Sequence, residues 1–494
     1  MKTNTHSCHQ PSQQQPCASG HQLCVIGLGY VGLPLARLFS TKYKTIGFDR
    51  NHNRVAEIMS GHDSTMELDE RLLKEAIEKN GFLCTSELEK IKECNIYIVA
   101  VPTPVDENNR PDLTPLIGAS RTVGKVISPG DIVIYESTVY PGVTEEECIP
   151  IIEAESGLTY NKDFYAGYSP ERINPGDKEH TVEKIKKVTS GSTPQVAEIV
   201  DNLYNSVLIN GTHKAPSIRV AEASKIIENS QRDVNIAFMN ELAKIFNAMG
   251  IDTRDVLEAA SSKWNFIKMS PGLVGGHCIS VDPYYLIQKA QVYGVLPRIM
   301  TSARRLNDGM GAYVAEQTIK CMNKKGVLVK DSRILILGIT FKENCPDTRN
   351  TKVLDIYHTL SEYTRNITIY DPWANPDSVA REYGLTITPA LPEECAGGEV
   401  SAAGAGAGAA SEFPAGCAAA GAGVGSGGEL PAAGAASEVP AACAAAAAGK
   451  YDAIILAVAH NQFKDLNYKA LLAPNGIIYD VKGFLPRELV DARL

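Results

Sequence analysis

The sequence lacks an excess of positive charge, a long apolar run and any regular cysteine spacing. Its formal net charge is −9 at pH 7, which excludes a nucleic-acid-binding protein that depends on bulk positive charge. No run of about 18 apolar residues is present, so no segment is expected to span a membrane. The 12 cysteines include no CxxC pair, so neither a zinc ribbon nor a redox motif is indicated and no metal site is predicted.

The N-terminal segment also lacks the apolar core of a secretory signal. It is polar, and we expect a disordered tail over residues 1–20. Reduced thiols in a cytoplasmic protein are the default expectation for this cysteine usage. A chain of 494 residues is too long for a single hydrophobic core, so two or three domains are expected.

Short apolar runs alternate with amphipathic segments along most of the chain. The runs LCVIGLGYVG, KTIGFDRN, NIYIVAVPTP and DIVIYESTVYPG end in turn residues, which is typical of a parallel α/β sheet. A helical pattern begins near Ala215, can end at Gly250 and resumes to about Lys325. The strand pattern then returns in RILILGITFK, NITIYDPWA, YDAIILAVAH and GIIYDVKG.

This alternation predicts three parts of the chain and one interruption. We expect an α/β domain over residues 21–214, a helical middle over 215–325 and a second α/β domain over 326–494. Residues 397–449 are almost entirely alanine and glycine. Glycine and proline cut this stretch into pieces too short to hold a helix, so we expect a flexible insertion in a surface loop.

The segment GLGYVG places Gly27, Gly29 and Gly32 in a GxGxxG pattern between an apolar strand and a helix. These glycines allow a tight turn, the approach of a pyrophosphate to the backbone, and close helix–strand packing. Asp49 ends the next strand, where a carboxylate can bind a ribose hydroxyl. The pattern predicts NAD rather than NADP, although Arg54 close by weakens that preference. The alternative is a Rossmann-like domain that binds no cofactor.

Three polar residues share one face of the long predicted helix. Lys225, Asn229 and Arg232 are spaced i, i+4 and i+7. A lysine there could stabilise an alkoxide or oxyanion, and an asparagine could donate a second hydrogen bond to the same oxygen. The alternative is a solvated polar stripe, although Glu222 and Ile236 on the same face make it less uniform.

The segment GLVGGHCISVDPYY presents Cys278 behind two glycines. A small buried core residue is the usual alternative for a lone cysteine. With a hydride acceptor in the same protein, a thiolate could add to an aldehyde, and a second oxidation would give a thioester that water hydrolyses. The glycines would then give the substrate clearance near the sulfur, and His277 or Asp282 could tune the thiol or a water.

In combination, the motifs resemble the UDP-glucose/UDP-N-acetylhexosamine 6-dehydrogenases from about residue 22 to the C-terminus, apart from the insertion. The segments that carry the resemblance are GLGYVGLPLA, VAVPTPVDE, ESTVYPG, YSPERINPG, AEASKIIEN, PGLVGGHCISVDPYYL, GITFKENCPDTRNTKV and DVKG. YSPERINPG and ESTVYPGVTEEE look more like the N-acetylhexosamine branch than the UDP-glucose branch. The UDP-glucose branch has a second acidic residue where this chain has Pro175.

The resemblance implies an α/β fold of two Rossmann-like, doubly wound parallel-sheet domains, joined by a long central helix that also forms a homodimer. It implies an NAD-dependent, four-electron oxidation of the C6 hydroxymethyl of a UDP-N-acetylhexosamine to a carboxylate, through a cysteine thiohemiacetal and thioester, for surface polysaccharide precursors. The implied catalytic residues are Cys278, Lys225, Asn229, Asp282, Glu171 and Thr138. The implied NAD-binding residues are Gly27, Gly29, Tyr30, Val31, Gly32, Asp49, Arg54, Thr103, Thr138 and Arg349. The implied nucleotide-sugar residues are Arg172, Ile173, Lys225, Asn229, Arg232, Gly275, Phe341, Lys342 and Lys482.

Three other functions remain open from the residues alone. One is a UDP-glucose 6-dehydrogenase. Another is a two-electron NAD-dependent dehydrogenase in which Cys278 is structural, and which would form one NADH per sugar instead of two. The third is a non-catalytic sensor of nucleotide sugars or dinucleotides, which would have no use for a cysteine, a lysine and an asparagine together.

Overall fold

The computed structural model describes residues 20–106, 108–173, 181–391 and 450–494. The predicted tail before Gly20, the predicted insertion at 397–449 and Pro175 lie outside these ranges. The described residues form two sheets joined by a helical segment. No helix within them is both long enough and apolar enough to cross a membrane.

The described N-terminal part folds into an eight-stranded sheet with the order β3-β2-β1-β4-β5-β6-β7-β8. Its strands are β1 (Gln22–Ile26), β2 (Lys44–Phe48), β3 (Leu83–Thr85), β4 (Ile96–Val99), β5 (Ile132–Tyr135), β6 (Tyr165–Tyr168), β7 (Lys187–Gly191) and β8 (Thr212–Lys214). Neighbouring strands pair in parallel, except that β7 runs antiparallel to β6. The strand order reverses at β1, as in doubly wound Rossmann sheets.

Helices between these strands cover both faces of the sheet. They are α1 (Gly32–Ser40), α2 (His52–Met59), α3 (Glu70–Asn80), α4 (Thr114–Gly124), α5 (Ile149–Ser156) and α6 (Pro194–Asn205). Alternate residues of β4 enter two separate cores, with Tyr97 and Val99 in one and Ile96 and Ile98 in the other. Strands that are buried on both faces are typical of parallel sheets, and this explains the unbroken apolar runs in the sequence.

The central helix α7 (Ile218–Met249) follows directly after β8. Ser217 caps its start by accepting the N–H of Val220, and Gly250 ends it in a left-handed conformation. The helices that follow are α8 (Thr253–Ser261), α9 (Asp282–Val292), α10 (Arg298–Asp308) and α11 (Met310–Lys324).

Buried polar contacts tie this helical segment to α7. Arg304 of α10 lies 2.5 Å from Asp233 of α7, and the side chains are 2% and 0% exposed. Asn307 donates to the same carboxylate at 2.7 Å. Asn240 exchanges two hydrogen bonds with the backbone of Gly272, at 2.8 and 3.0 Å. These contacts hold the segment between α8 and α9, which contains the cysteine, against the central helix.

A five-stranded sheet, parallel throughout, closes the described C-terminal part with the order β10-β9-β11-β12-β13. Its strands are β9 (Ile334–Leu337), β10 (Ile367–Tyr370), β11 (Tyr451–Leu456), β12 (Leu472–Asp480) and β13 (Ala492–Arg493), with helices α12 (Val353–Ser361), α13 (Pro376–Tyr383) and α14 (Tyr468–Leu471). The predicted α/β class, with two Rossmann-like sheets and a long central helix, is confirmed. The antiparallel strand β7 is a departure from the parallel sheet that the sequence predicts.

Candidate active site

The loop after β1 forms a tight turn at Gly27. Gly27 has a φ of +91°, which glycine adopts readily, and its N–H donates to the Phe48 carbonyl at 2.9 Å. A Cβ on Gly32 would overlap the Gly27 carbonyl oxygen, so glycine is needed where α1 starts. A Cβ on Gly29 would meet nothing within 4 Å. The turn therefore leaves open space at the positive end of α1, where a phosphate can bind.

Asp49 and Arg54 both bond to this glycine turn. The Asp49 carboxylate accepts the N–H groups of Leu28 at 3.0 Å and of Asn51 at 2.9 Å. Arg54 is 9% exposed, and its guanidinium donates to the Leu28 carbonyl at 2.9 Å and to Asp63 at 2.7 Å. Arg54 therefore holds the turn in place through these bonds.

Two clefts that share Val101 and Pro102 extend from the glycine turn towards the segment between α8 and α9 that contains Cys278, called the cysteine loop below. The first is lined by residues that include Gly27, Phe48, Asp49 and Thr122. The second is lined by residues that include Val31, Thr103, Glu136, Thr138, Glu171, His277 and Asp282. Thr103 donates to the Thr138 carbonyl at 2.7 Å. This donor and acceptor set fits NAD: the turn would hold the pyrophosphate, Asp49 a ribose, and the second cleft the nicotinamide.

The predicted polar face of α7 is partly buried. Lys225 and Asn229 are 7% and 5% exposed, whereas Arg232 is exposed. The amide of Asn229 donates to Asp282 at 2.5 Å. Burial raises the pKa of Asp282 to about 6, against the opposing effects of the Lys225 ammonium and this hydrogen bond. Lys225 and Asn229 are therefore not part of a solvated stripe. The Asn229 amide contacts the buried Asp282 carboxylate, and the Lys225 ammonium stabilises its negative charge.

Cys278 lies in the turn that leads into α9. Its carbonyl accepts the N–H of Asp282, the first residue of α9, at 2.8 Å. The residue as a whole is exposed, whereas desolvation of its thiol group by the surrounding protein, followed by the charge of Asp282, raises the pKa of the thiol. Lys225, Arg232 and Lys342 oppose this rise through their positive charges. The thiol is therefore not a core residue, and it needs a proton acceptor before it can attack.

The glycines before the cysteine have a packing role that the sequence alone does not show. Gly276 has a φ of +82°, and a Cβ there would lie 2.7 Å from the ring of Phe341. A Cβ on Gly275 would lie 2.7 Å from the Asn350 carbonyl oxygen. Asn350 also donates to the Gly276 carbonyl at 3.2 Å. These glycines therefore let the cysteine loop pack against the C-terminal sheet domain, and the expected clearance for a substrate stays a prediction.

His277 lies between the cysteine and the C-terminal domain. Burial, followed by the charge of Arg349, lowers the pKa of His277 to about 4, so the imidazole is neutral near pH 7. Its Nε2 is buried and has no hydrogen-bond partner within the described ranges. A neutral imidazole can orient a neighbouring group, but it is a poor proton acceptor at this pKa.

Glu171 is held by three donors at the edge of the second cleft. Its carboxylate accepts the N–H groups of Arg172 at 2.5 Å and of Ile173 at 2.6 Å, and it lies 3.2 Å from the Lys187 ammonium. The Arg172 guanidinium is paired with Glu228 of α7 at 2.8 Å. Arg172 is therefore half-buried beside α7, and a substrate phosphate would compete with Glu228 for it.

The C-terminal domain contributes residues to two places. Gly275, Phe341, Lys342 and Lys482 line one cleft together with Thr340 and Lys352, and the Lys482 ammonium lies 3.7 Å from Glu343. Arg349 stacks on Tyr30 of the glycine turn, with its guanidinium carbon 4.8 Å from the ring centroid. Asp347 orients this guanidinium through bonds of 2.9 and 2.6 Å.

Two charged residues of the site were not among those predicted. Glu136 follows β5 and lines the second cleft, and Lys187 begins β7 and contacts both Glu136 and Glu171. Glu136 stands at the start of ESTVYPG, so the motif marked its position but not its partner. No local pattern marks Lys187, because only the direction of β7 brings it to the cleft.

These features define a class of protein: a dehydrogenase with a dinucleotide turn, a thiol beside a buried lysine and carboxylate, and a second nucleotide-type domain. Three domain descriptions of the UDP-glucose/GDP-mannose dehydrogenase family match the chain: the NAD binding domain over residues 21–208, the central domain over 219–309 and the UDP binding domain over 335–403. The chain belongs to this family. It is an NAD-dependent enzyme, and the predicted cofactor is confirmed.

Close relatives cover nearly the whole chain. The chain is 51% identical over 476 residues to the UDP-N-acetyl-D-glucosamine 6-dehydrogenase of Pseudomonas aeruginosa, covering 96% of this chain and 99% of that protein. It is 49% identical to the protein of the same name from Salmonella typhi, covering 96% and 98%. Among solved structures, the UDP-D-ManNAc dehydrogenase of Pyrococcus horikoshii matches with a TM-score of 0.77 and 27% identity, covering 96% of this chain and 98% of that one.

Proposed function

We propose that the enzyme oxidises the C6 hydroxymethyl of UDP-N-acetyl-D-glucosamine to a carboxylate and forms two NADH per sugar. The names of the two relatives at 49–51% identity support the substrate. The observation that carries the chemistry is the contact between Asn229 and Asp282 beside Cys278, because it joins a hydrogen-bond donor, a proton acceptor and a nucleophile. The resemblance assigns the same residues.

The first oxidation converts the alcohol to an aldehyde. The C6 hydroxyl loses its proton to solvent, and the Lys225 ammonium, with the Asn229 amide, stabilises the alkoxide. NAD supplies the hydride acceptor for both oxidations when it is bound. Thr138 and Thr103 line the cleft on the cofactor side and orient the reacting carbon.

The second oxidation proceeds on the cysteine. Asp282 accepts the thiol proton of Cys278, the sulfur forms a bond to the aldehyde carbon, and the aldehyde oxygen takes up the proton to give a thiohemiacetal. Loss of this proton and of a hydride leaves a thioester. Lys225 and Asn229 again stabilise the oxyanion that forms on the way.

Hydrolysis then releases the product. A water attacks the thioester carbon, the carbon–sulfur bond breaks, and the thiol regains a proton. Glu171 and Asp282 line the same cleft; Glu171 accepts the proton of this water, and Asp282 helps to position it. The balanced reaction consumes one alcohol, two NAD and one water, and it yields one carboxylate, two NADH and three protons.

The C-terminal cleft binds the UDP moiety in this proposal. Lys342 and Lys482 supply local positive charge on a protein with a net charge of −9, and Phe341 supplies an apolar surface. The other proposed substrate-binding residues are Arg172, Ile173, Arg232 and Gly275. On the cofactor side, Arg349 and Tyr30 are proposed to contact NAD. We also propose domain boundaries near residues 214 and 325. The ends of β8 and α11 at these positions support them.

A second copy of the chain is the proposed partner of α7. Val220, Ile227, Phe238, Ile245 and Met249 form an exposed apolar stripe on this helix, 45–62% exposed, at spacings that keep one helix face. The double variant Phe238→Asp and Ile245→Asp should convert a dimer to a monomer in analytical ultracentrifugation. A wild-type monomer at micromolar concentration would contradict this.

A cytoplasmic location is also proposed. The cysteines of the described ranges are unpaired, as expected of a reducing compartment. Fractionation of the producing cells would test it.

The substrate is tested with a panel of UDP-sugars: glucose, N-acetylglucosamine, N-acetylgalactosamine and N-acetylmannosamine. NADH is counted per sugar consumed, and kcat/KM is compared across the panel. We expect N-acetylglucosamine to give the highest kcat/KM and two NADH per sugar. One NADH per sugar would support a two-electron dehydrogenase instead, and a preference for UDP-glucose would reassign the substrate.

A further inference from the structure

Three strand ends bring two carboxylates and one ammonium together below the second cleft. Glu136 follows the last residue of β5, and Glu171 lies three residues after β6. Lys187 is the first residue of β7, and because β7 runs antiparallel to β6, it lies at the edge where β5 and β6 end. Its Nζ is 2.5 Å from Glu136 and 3.2 Å from Glu171.

This cluster is buried, and each of its charged groups has partners. Glu136 and Lys187 are 1% and 0% exposed. The Tyr204 hydroxyl of α6 donates to Glu136, and two backbone N–H groups donate to Glu171. A buried lysine that lacked these partners would be costly to charge, so the arrangement commits Lys187 to the two carboxylates.

One cation cannot neutralise two carboxylates. Burial raises the pKa of Glu136 to about 7, with Lys187 opposing the rise and Glu171 adding to it. The two carboxylates raise the pKa of Lys187 against its burial. Tyr168 from β6 also faces the cluster, and His277 and Asp282 line the same cleft.

We propose that Lys187 and Glu136 are positioning residues for Glu171, and that they control how fast the thioester on Cys278 is hydrolysed. Lys187 holds the Glu171 carboxylate at the cleft through an ion pair. The negative charge of Glu136 partly neutralises Lys187, so that Lys187 stabilises the ionised form of Glu171 less strongly. This rests on the proposed function, in which Glu171 helps to activate the hydrolytic water.

The two partners have opposite electrostatic effects on Glu171. In Glu136→Gln, the amide keeps the shape and the Tyr204 contact, but the whole charge of Lys187 acts on Glu171. The Glu171 carboxylate is then a weaker proton acceptor. In Lys187→Met, two carboxylates lie close together without a cation, and a shared proton persists to higher pH.

The experiment follows the thioester formed on Cys278, called the ester below. Enzyme is mixed with UDP-N-acetylglucosamine and excess NAD, quenched at intervals and analysed by mass spectrometry, at several pH values between about 5 and 9. The same samples give the NADH burst and the rate at which the ester disappears. Asp131→Asn is the matched control, because Asp131 is a buried carboxylate at the opposite end of β5.

We expect the ester to accumulate in both cluster variants and not in Asp131→Asn. The acid limb of ester hydrolysis should move to lower pH in Glu136→Gln and to higher pH in Lys187→Met. The maximal rate of ester hydrolysis should fall by about 10²-fold in Lys187→Met, the usual scale of a lost acid–base contribution. KM values for sugar and NAD should change by less than about twofold.

The outcomes separate this inference from the proposed function. A wild-type enzyme that forms neither two NADH per sugar nor an ester overturns the proposed function. A wild-type enzyme that does both, with variants that keep its hydrolysis rate and pH profile, overturns the inference alone. Shifts of the acid limb in one common direction also overturn it. If Lys187→Met does not fold, Glu136→Gln decides the question by itself.

Discussion

The two sheet domains begin with the same turn and use it differently. In the N-terminal domain, the N–H of Gly27 donates to the Phe48 carbonyl at 2.9 Å, and Asp49 accepts the N–H of Leu28 at 3.0 Å. In the C-terminal domain, the N–H of Gly338 donates to the Tyr370 carbonyl at 2.8 Å, and Asp371 accepts the N–H of Ile339 at 2.7 Å. The two glycines have φ values of +91° and +93°.

The difference lies in what else the acidic residue binds. Asp371 also accepts the backbone N–H groups of Thr340, Trp373 and Ala374, and the buried His460 lies 3.1 Å away. Its carboxylate is therefore enclosed, and it has no room for a ribose hydroxyl. Asp49 accepts two backbone N–H groups and lines an open cleft.

The helix that follows each turn differs as well. In the N-terminal domain α1 starts at Gly32, directly after the turn, so its positive end faces the space beside Gly29. In the C-terminal domain α12 starts only at Val353, and a loop with Phe341 and Lys342 intervenes. One Rossmann-like turn therefore retains a dinucleotide site, while the other supports a loop whose side chains line the C-terminal cleft.

The largest expected effect is on the thiol that lies between these two domains. Cys278→Ser should lower kcat by at least about 10³-fold while NAD and UDP still bind both domains, as measured by calorimetry. Cys321→Ser, on α11, is the control and should keep full activity. Turnover at the wild-type rate in Cys278→Ser would exclude the thioester route.

Asp282 should give the reaction a dependence on pH. Its pKa is raised to about 6, so the ionised form that accepts the thiol proton is lost as the pH falls through this value. We expect the rate of the second NADH to decline below about pH 6. Asp282→Asn should lower kcat by about 10²-fold above that pH and should remove the decline. A wild-type decline that persists in Asp282→Asn would assign it to another group.

A pair of matched variants tests the comparison of the two acidic residues. Asp49→Asn should raise the Kd of NAD about 10- to 150-fold, because a charged hydrogen bond contributes about 1.5–3 kcal/mol, with little change in Tm. Asp371→Asn should lower Tm through loss of about 1–3 kcal/mol of buried hydrogen bonding, with an unchanged Kd for NAD. Equal effects of both variants on NAD would show that the two turns are not functionally distinct.

The smallest effect concerns the contact between the cysteine loop and the C-terminal domain. Gly276→Ala combines a φ of +82° with a Cβ 2.7 Å from Phe341, so it should reduce kcat several-fold as well as stability. Gly294→Ala has a φ of +73° but no atom within 4 Å of its Cβ, and it should cost only the backbone strain of about 1–3 kcal/mol. Identical kcat values for the two variants would show that domain packing does not position Cys278.

The sequence by itself determined the two sheets, the central helix and the cofactor. Strands buried on both faces must be continuously apolar, a glycine turn before a helix has few substitutes, and a capped helix shows its start and end at Ser217 and Gly250. Such features are local, and they can be recognised before the chain is folded.

Only the tertiary structure decided which distant groups meet. The role of Gly275 and Gly276 depends on Phe341 and Asn350, more than 60 residues away in the chain, and no local pattern reports that packing. Lys187 reaches Glu136 and Glu171 because β7 reverses direction. A strand reads the same in either direction along a sheet, since its apolar pattern reports burial and not orientation.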